Sequence, residues 1–181
     1  AGEHSGDRVG ASLAEALRRV EPDVRLAGAG GPRMAAAGVR VVADTVGHSG
    51  MGLRYTFGNA ARWIRVFRRC IGEFNRERLD ILVPVDNPGF NLRLAAHARE
   101  RGIPVCYYVS PQVWAWLPGR IRRVARRVTR MMTILPFEKA LYDRLGADCR
   151  YVGHPALDYL APDLMDAPAR ARYVEALGRA G

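Results

Sequence analysis

Short apolar runs alternate along this chain with amphipathic segments. The apolar runs, which predict strands, lie at residues 24–27, 39–43, 81–85, 104–109, 131–135 and 149–152. The amphipathic segments, which predict helices, begin with the stripe of Val9, Leu13, Leu17 and Val20 and continue at residues 32–37, 60–78, 91–101, 119–128 and 137–145. Because strands that are apolar throughout are buried on both faces, the alternation predicts a doubly wound α/β domain with a mostly parallel sheet. Its ligands are expected at the carboxyl ends of the strands.

The two ends of the chain depart from this alternation. A glycine-rich loop at residues 1–7 leads directly into the first helix. Since such a loop normally follows a strand, we expect a first strand upstream of it. After residue 152 three prolines interrupt the pattern, and residues 169–177 have the pattern of a lone helix. We therefore predict one domain over residues 1–160, and a linker with the start of a second domain over residues 161–181.

Composition places the chain among ordinary globular proteins and leaves its charge as the unusual property. Of 181 residues, 49% are hydrophobic and 25% are charged, which excludes a disordered chain. No apolar run approaches the ~20 residues that span a bilayer. The 28 Lys and Arg residues against 18 Asp and Glu give a net charge of +10. This excess predicts an anionic partner: a nucleic acid, a phospholipid surface or a phosphorylated substrate.

The cysteine and metal-ligand patterns limit the kinds of site that this chain is expected to contain. Cys70, Cys106 and Cys149 are odd in number and far apart, which is typical of buried thiols in a reducing compartment. The chain contains no DxD, CxxC or HExxH motif. We therefore predict neither a metal site nor a cofactor.

Two glycine-rich turns lead into helices, AGEHSGD at residues 1–7 and AGAGGPRM at residues 27–34. Glycines at such turns let a ligand approach the backbone near a helix amino terminus, where negative charge is favoured. The first turn lacks the GxGxxG spacing of a dinucleotide site. In the alternative interpretation, Ser5 or Asp7 only caps the first helix.

An acid follows a strand that should lie near the centre of the sheet. The segment PVDNPGFN, residues 84–91, places Asp86 just beyond the end of that strand. An α/β enzyme keeps a catalytic carboxylate at such a position, so Asp86 is a candidate for that role. Alternatively, Asp86 caps the next helix or the turn at Pro88.

Tryptophans and arginines follow the next strand. YYVSPQVWAW, residues 107–116, carries Trp114 and Trp116, and six arginines follow within residues 119–130. On a helix, four of them share one stripe: Arg120, Arg123, Arg127 and Arg130. Charge runs are usually solvated faces, so a plain surface helix with both tryptophans in the core is the simpler interpretation of this stretch.

A second basic segment is amphipathic. The apolar positions of residues 60–78 recur at spacings of three and four, at Ala60, Ile64, Phe67, Ile71 and Phe74, while arginines occupy the other faces. This pattern fits either a core-packed surface helix or a helix at a membrane interface. The preceding residues 48–58 mix glycines with apolar side chains and predict a mobile loop.

Six segments occur in an order that is similar to one protein family. They are AGEHSGD, GAGGPRMAAAG, VDNPGFN, YYVSPQVWAW with GRIRRVARRV, LPFEKALYDRLG and YVGHPALD. Together they resemble the amino-terminal half of bacterial lipid-A-disaccharide synthases, glycosyltransferases of the two-domain B type (GT-B), over residues 1–160. The chain departs from the family at His4, which replaces a small residue, and at Gly89, which replaces a second acid.

The resemblance implies a Rossmann-like, acceptor-binding domain and a sugar transfer with inversion. The diacylglucosamine of UDP-2,3-diacylglucosamine would join the 6-hydroxyl of 2,3-diacylglucosamine 1-phosphate, with Asp86 as the base on that hydroxyl. A second domain would hold most of the UDP, and no cofactor is needed. The implied acceptor contacts are Gly2, Glu3, Ser5, Gly6, Asp7, Gly30, Gly31, Asn87, Asn91, Ser110, Pro111, Trp114 and Trp116.

The resemblance also implies a cytoplasmic protein on the inner face of the inner membrane. Its expected contact with an anionic membrane surface consists of Met51, Leu53, Arg62, Arg65 and Arg69. No nucleic-acid partner is expected, and a homodimer is compatible with the family. Two alternatives are a GT-B enzyme for another lipid acceptor and a non-catalytic, arginine-rich module that binds nucleic acid.

Overall fold

The computed structural model describes residues 1–46, 53–76, 78–112 and 118–159. The helices are α1 (His4–Val20), α2 (Pro32–Ala36), α3 (Leu53–Arg76), α4 (Pro88–Glu100), α5 (Ile121–Arg126) and α6 (Pro136–Asp143). The strands are β1 (Ala27–Gly30), β2 (Arg40–Asp44), β3 (Cys106–Tyr108), β4 (Arg130–Thr133) and β5 (Cys149–Tyr151). Pro118–Arg120 and Pro155–Tyr159 form 3₁₀ turns.

Strands pair in parallel throughout the described ranges. β1 pairs with β2, and β4 lies between β3 and β5. The segment 81–85, predicted as a full strand, joins β3 through two parallel bridges, Leu82 to Val105 and Val85 to Tyr108. Because parallel neighbours end at the same edge, the loops after this segment and after β3 emerge side by side.

Helices cover both faces of the strands, which confirms the predicted α/β class. On β1, Ala29 packs with α3 residues such as Val66, whereas the adjacent Gly30 lies against Met34 of α2. Successive strand residues point to opposite faces, so α2 and α3 lie on opposite sides of β1. The largest buried cluster surrounds β3 and β4, with Tyr107 and Met131 fully buried at its centre.

Several element boundaries differ from the prediction. β1 begins at Ala27, three residues later than expected, and the helix α1 already begins at His4 inside the predicted loop. The expected mobile loop before the basic helix is partly helical, since α3 begins at Leu53. α5 ends at Arg126, so Arg130 belongs to β4 and not to the helical arginine stripe.

The three thiols are free, and two of them are buried. Burial raises the pKa of Cys70 to about 11 and also raises the pKa values of Cys106 and Cys149. Thiols in such surroundings stay protonated and unreactive.

Among the described helices, none combines the length and the apolar character that crossing a bilayer requires.

Candidate active site

Asp86 has a strained backbone at the carboxyl end of the segment 81–85. Its φ of 51° and the φ of 42° at Asn87 lie in the left-handed region, which costs about 1 kcal/mol or more for most residues with a side chain and less for Asp and Asn. Such strain persists only where surrounding contacts impose it, and it concentrates at functional sites. The Asp86 carboxylate is exposed and has no hydrogen bond to the part of the chain that the structure describes.

Two buried side chains hold the backbone of Asp86 in this conformation. The Tyr107 hydroxyl donates to the Asp86 carbonyl at 2.7 Å, and the Asn91 amide donates to the same carbonyl at 2.6 Å. The Asn91 amide also donates to the Val85 carbonyl at 3.0 Å. Burial, together with the nearby Asp86 charge, raises the pKa of Tyr107 well above its usual value, so its hydroxyl remains a donor. The carboxylate is therefore presented to solvent from a fixed backbone.

The alternative in which Asp86 caps the next helix is not supported. Asn87 occupies the N-cap position of α4, and among the described residues no side-chain hydrogen bond caps that helix end. The Asn91 backbone N–H donates to the Asn87 carbonyl at 3.0 Å, which starts the helix without help from a carboxylate.

The loop after β3 is anchored next to this site. Val109 has a φ of 65°, an unfavourable value for a β-branched residue. The buried Ser110 hydroxyl then donates to Oε1 of Glu138 at 2.7 Å, and Oε2 of Glu138 accepts from the Leu135 N–H at 3.1 Å. Glu138 is itself only 1% exposed. It therefore joins the loop after β3 to the start of α6.

The buried Asp7 joins the two glycine-rich turns. Its carboxylate accepts hydrogen bonds from the backbone N–H groups of Gly31 at 2.7 Å, Arg33 at 3.1 Å and Met34 at 3.1 Å. These donors belong to the first turn of α2, whose N-cap residue, Gly31, has no side chain of its own to cap the helix. Asp7 thus caps α2 and not its own helix, whose N-cap residue is Glu3.

The first turn also touches the Asp86 loop. A side chain at Gly2 would collide with the Asn87 amide, and a Cβ at Gly31 would lie 2.6 Å from Cγ2 of Val46. Glycine is therefore required at both positions for these side chains to pack directly against the backbone of each turn. The two turns and the Asp86 loop accordingly form one surface at the carboxyl edge.

The predicted catalytic and acceptor-binding residues divide into two groups on this surface. The exposed or half-buried members, which can reach a ligand, are Glu3, Ser5, Asp86 and Asn87. The buried members support the loops from beneath and are Gly2, Gly6, Asp7, Gly30, Gly31, Asn91, Ser110 and Pro111. Contact of any of them with an acceptor stays a prediction.

Some predicted residues lie outside the described residues. Trp114, Trp116 and Met51 belong to the gaps, as do residues 160–181 and with them the predicted linker. Leu53 starts α3, and its side chain is likewise outside the description.

The basic helix α3 combines structural and exposed arginines. Arg62 is half-buried and donates to the Asp44 carbonyl at 3.1 Å, which ties α3 to the end of β2. Arg65, Arg68 and Arg69 are exposed. Ile64, which the spacing places on the apolar stripe of this helix, is 53% exposed and adjoins these arginines.

The sequence does not predict the supporting roles of Tyr107 and Glu138 at this site. Tyr107 stands in an apolar strand, where an aromatic residue indicates only core packing. Glu138 stands three residues into a helix, a pattern that does predict its bond to the Leu135 N–H. Nothing in the pattern predicts that its second oxygen reaches Ser110, 28 residues away.

Metal ligands do not cluster at this edge. Within the described ranges, no group of three or more His, Cys, Asp or Glu side chains is placed to hold a metal ion. The chemistry that the arrangement offers is proton transfer by an exposed carboxylate at a rigid loop.

Comparison with known proteins identifies the family to which this chain belongs. The model of the family described as lipid-A-disaccharide synthetase matches residues 1–175. Similar curated proteins, each called lipid-A-disaccharide synthase, come from Syntrophus aciditrophicus (44% identical over 87% of this chain), Alkalilimnicola ehrlichii (40% over 97%) and Syntrophotalea carbinolica (46% over 88%). These alignments cover 41%, 46% and 41% of the relatives, so the chain spans less than half of their length. With its matching motifs and parallel α/β architecture, the chain belongs to the lipid-A-disaccharide synthetase family.

Proposed function

We propose that the full-length protein carrying this chain is an inverting glycosyltransferase that forms the lipid A disaccharide, and that this chain is its acceptor-binding part. The family match over residues 1–175 supports the activity. The exposed Asp86 carboxylate on its strained loop supports the assignment of the base. The UDP moiety of the donor is assigned mainly to the rest of the protein.

The proposed reaction is a single displacement. The 6-hydroxyl oxygen of 2,3-diacylglucosamine 1-phosphate attacks C1 of the donor sugar while the bond from C1 to the UDP oxygen breaks. Asp86 accepts the proton of the hydroxyl, and UDP leaves with the electron pair. Attack from the face opposite the leaving group inverts C1. Glu3, Ser5 and Asn87 are proposed to contact the acceptor, because their polar side chains are accessible on the same surface.

An activity assay tests this function. The full-length protein, given UDP-2,3-diacylglucosamine and 2,3-diacylglucosamine 1-phosphate, should release UDP and form the disaccharide. Residues 1–181 alone should form none, because the donor-binding part is expected elsewhere. A full-length protein that leaves both substrates unchanged would contradict the proposed function, and turnover by residues 1–181 alone would contradict the division into two parts.

We further propose that the protein rests on the inner face of the inner membrane, where its acylated substrates lie. The exposed face of α3 supports this, because Ile64 offers apolar surface beside Arg65, Arg68 and Arg69. Basic residues near an anionic surface contribute about 1 kcal/mol each, and salt screens this attraction within ~10 Å at 0.1 M. Leu53, the first residue of α3, and Met51, two residues earlier in the sequence, are proposed to add apolar contacts.

Vesicle sedimentation tests the membrane contact. The full-length protein should sediment with phosphatidylglycerol vesicles at low salt and be released at high salt. The variant R65E/R68E/R69E should lose this binding and keep its fold, because all three side chains are exposed. Arg62 is left intact, because its hydrogen bond holds α3 in place.

The matched control is R19E/R101E/R150E, which makes the same change of net charge at exposed sites outside α3. It should keep most of the vesicle binding. Equal losses in the two variants would show that only net charge matters, and α3 would then not be the contact.

A further inference from the structure

Three exposed arginines line an open surface cavity between α5 and the turn after α6. The cavity has a volume of about 400 Å³, and its charged lining consists of Arg122 and Arg126 from α5 and Arg144 from the end of α6. Ala125, Leu145 and Ala147 line the rest with apolar surface. Among the residues that the structure describes, no acidic side chain contributes to the lining. We call this the arginine cavity.

The acids nearest to the cavity along the chain already have other partners. Asp143 is paired with Lys139 at 2.5 Å, and Asp148 with Arg130 at 2.8 Å. Among the described residues, none forms an ion pair with Arg122, Arg126 or Arg144. The three positive charges that line the cavity are therefore not neutralised by ion pairs with these acids.

Helix electrostatics do not account for this cluster. Arg126 and Arg144 lie at helix carboxyl ends, where a positive charge is stabilising. Arg122, however, lies in the first turn of α5, where the helix dipole disfavours a positive charge. Arg122 and Arg126 are also four residues apart on one helix face, where like charges repel. An arrangement that lowers stability in the free protein is expected where a ligand with the opposite charge binds.

The cavity is separate from the Asp86 surface. α5 and α6 each run back from the carboxyl edge of the strands to the amino edge, so the turn at residues 144–147 leads into the start of β5. Asp86 follows the carboxyl end of its own segment, at the opposite edge. A ligand in the arginine cavity is therefore not the acceptor bound at Asp86.

We propose that the arginine cavity binds an organic phosphate. Arginine donates paired hydrogen bonds to phosphate oxygens, and three guanidinium groups match the double negative charge of a phosphate monoester. The volume falls in the range of small-molecule sites, and the alanine and leucine surface suits a carbon substituent on the phosphate. Such a group can come from a soluble phosphate ester or from a phospholipid headgroup.

Binding of two probes to the full-length protein tests this site. Phenyl phosphate, titrated by calorimetry at fixed ionic strength, represents the soluble source, and phosphatidylcholine vesicles containing phosphatidic acid represent the headgroup source. The variant R122Q/R126Q/R144Q should bind one or both probes about tenfold more weakly or worse, the loss expected from at least one charge-assisted hydrogen bond. The control R19Q/R101Q/R150Q removes the same net charge at exposed sites that do not line the cavity, and it should change binding less than twofold.

Each outcome decides the proposal. If R122Q/R126Q/R144Q selectively loses binding of phenyl phosphate, the ligand of the site is a soluble phosphate ester. If it selectively loses binding of the vesicles alone, the ligand is a phospholipid headgroup. Equal losses in both variants, or no binding of either probe by the parent protein, would overturn the site. If the triple variant does not fold, R122Q replaces it. Loss of this arginine from the first turn of α5 should not destabilise the helix, yet should still weaken binding severalfold relative to R19Q.

Discussion

We expect the substitution Asp86→Asn to lower kcat of the full-length protein by about 10²- to 10⁴-fold. Asparagine keeps the shape of the side chain but cannot accept the proton of the acceptor hydroxyl. Folding should change by less than about 0.5 kcal/mol, because the carboxylate is exposed and has no hydrogen bond in the described part of the chain. Steady-state disaccharide formation and thermal unfolding measure the two effects separately.

The same strand segment provides a matched control. Asp80 is exposed and precedes the segment 81–85, whereas Asp86 follows it, so Asp80→Asn makes the same chemical change at the opposite edge. Its kcat should stay within twofold of the parent. If Asp86→Asn keeps most of the activity, Asp86 is not the base, and Glu3 becomes the next carboxylate to test because it is exposed on the same surface.

We expect Asp7→Asn to lower the free energy of unfolding by about 2 to 3 kcal/mol. The Asp7 carboxylate is 1% exposed and accepts three backbone N–H bonds through its two oxygens. An amide has only one acceptor oxygen, so at least one buried N–H is left facing an NH₂ group. At about 2 to 4 °C per kcal/mol for a domain of this size, the melting temperature should fall by about 5 to 10 °C.

The control for this effect is Asp23→Asn, an exposed acid just beyond the end of α1. It should change the free energy of unfolding by less than about 0.5 kcal/mol. An Asp7→Asn protein that unfolds at the parent's temperature would show that its three hydrogen bonds contribute little. Other contacts would then hold the two glycine-rich turns together.

The shift of β1 shows where a local pattern misleads. The apolar run 24–27 predicts a strand there, yet β1 is the glycine-rich segment Ala27–Gly30. Glycine has a low strand propensity, but here the sulfur of Met34 packs directly on Gly30, where a side chain would collide with it. Close packing between α2 and β1 therefore outweighs the local preference. A contact with a residue in another element does not appear in the pattern of a single strand.

The basic helix shows the same limit for a helical pattern. The spacing of apolar residues correctly predicts that α3 is amphipathic, and Phe67, Ile71 and Phe74 of its apolar stripe pack against the core. Ile64 belongs to the same stripe, yet its side chain is half exposed. Val66 and Cys70 are buried instead, because α3 packs against β1, β2 and α4 in an orientation that its neighbours determine.

The sequence by itself determined the α/β class, the parallel strands, the family and the position of Asp86 after its strand. Each of these follows from residues that are close in the chain, through periodicity, short motifs and turn chemistry. Tertiary structure alone decided that Asp7 caps α2, that Glu138 holds Ser110, and that Tyr107 and Asn91 fix the Asp86 backbone. It also decided that Arg122, Arg126 and Arg144 share a cavity. The physical reason is that a buried polar group must find a hydrogen-bond partner, and the folded packing determines which of many distant groups that partner is.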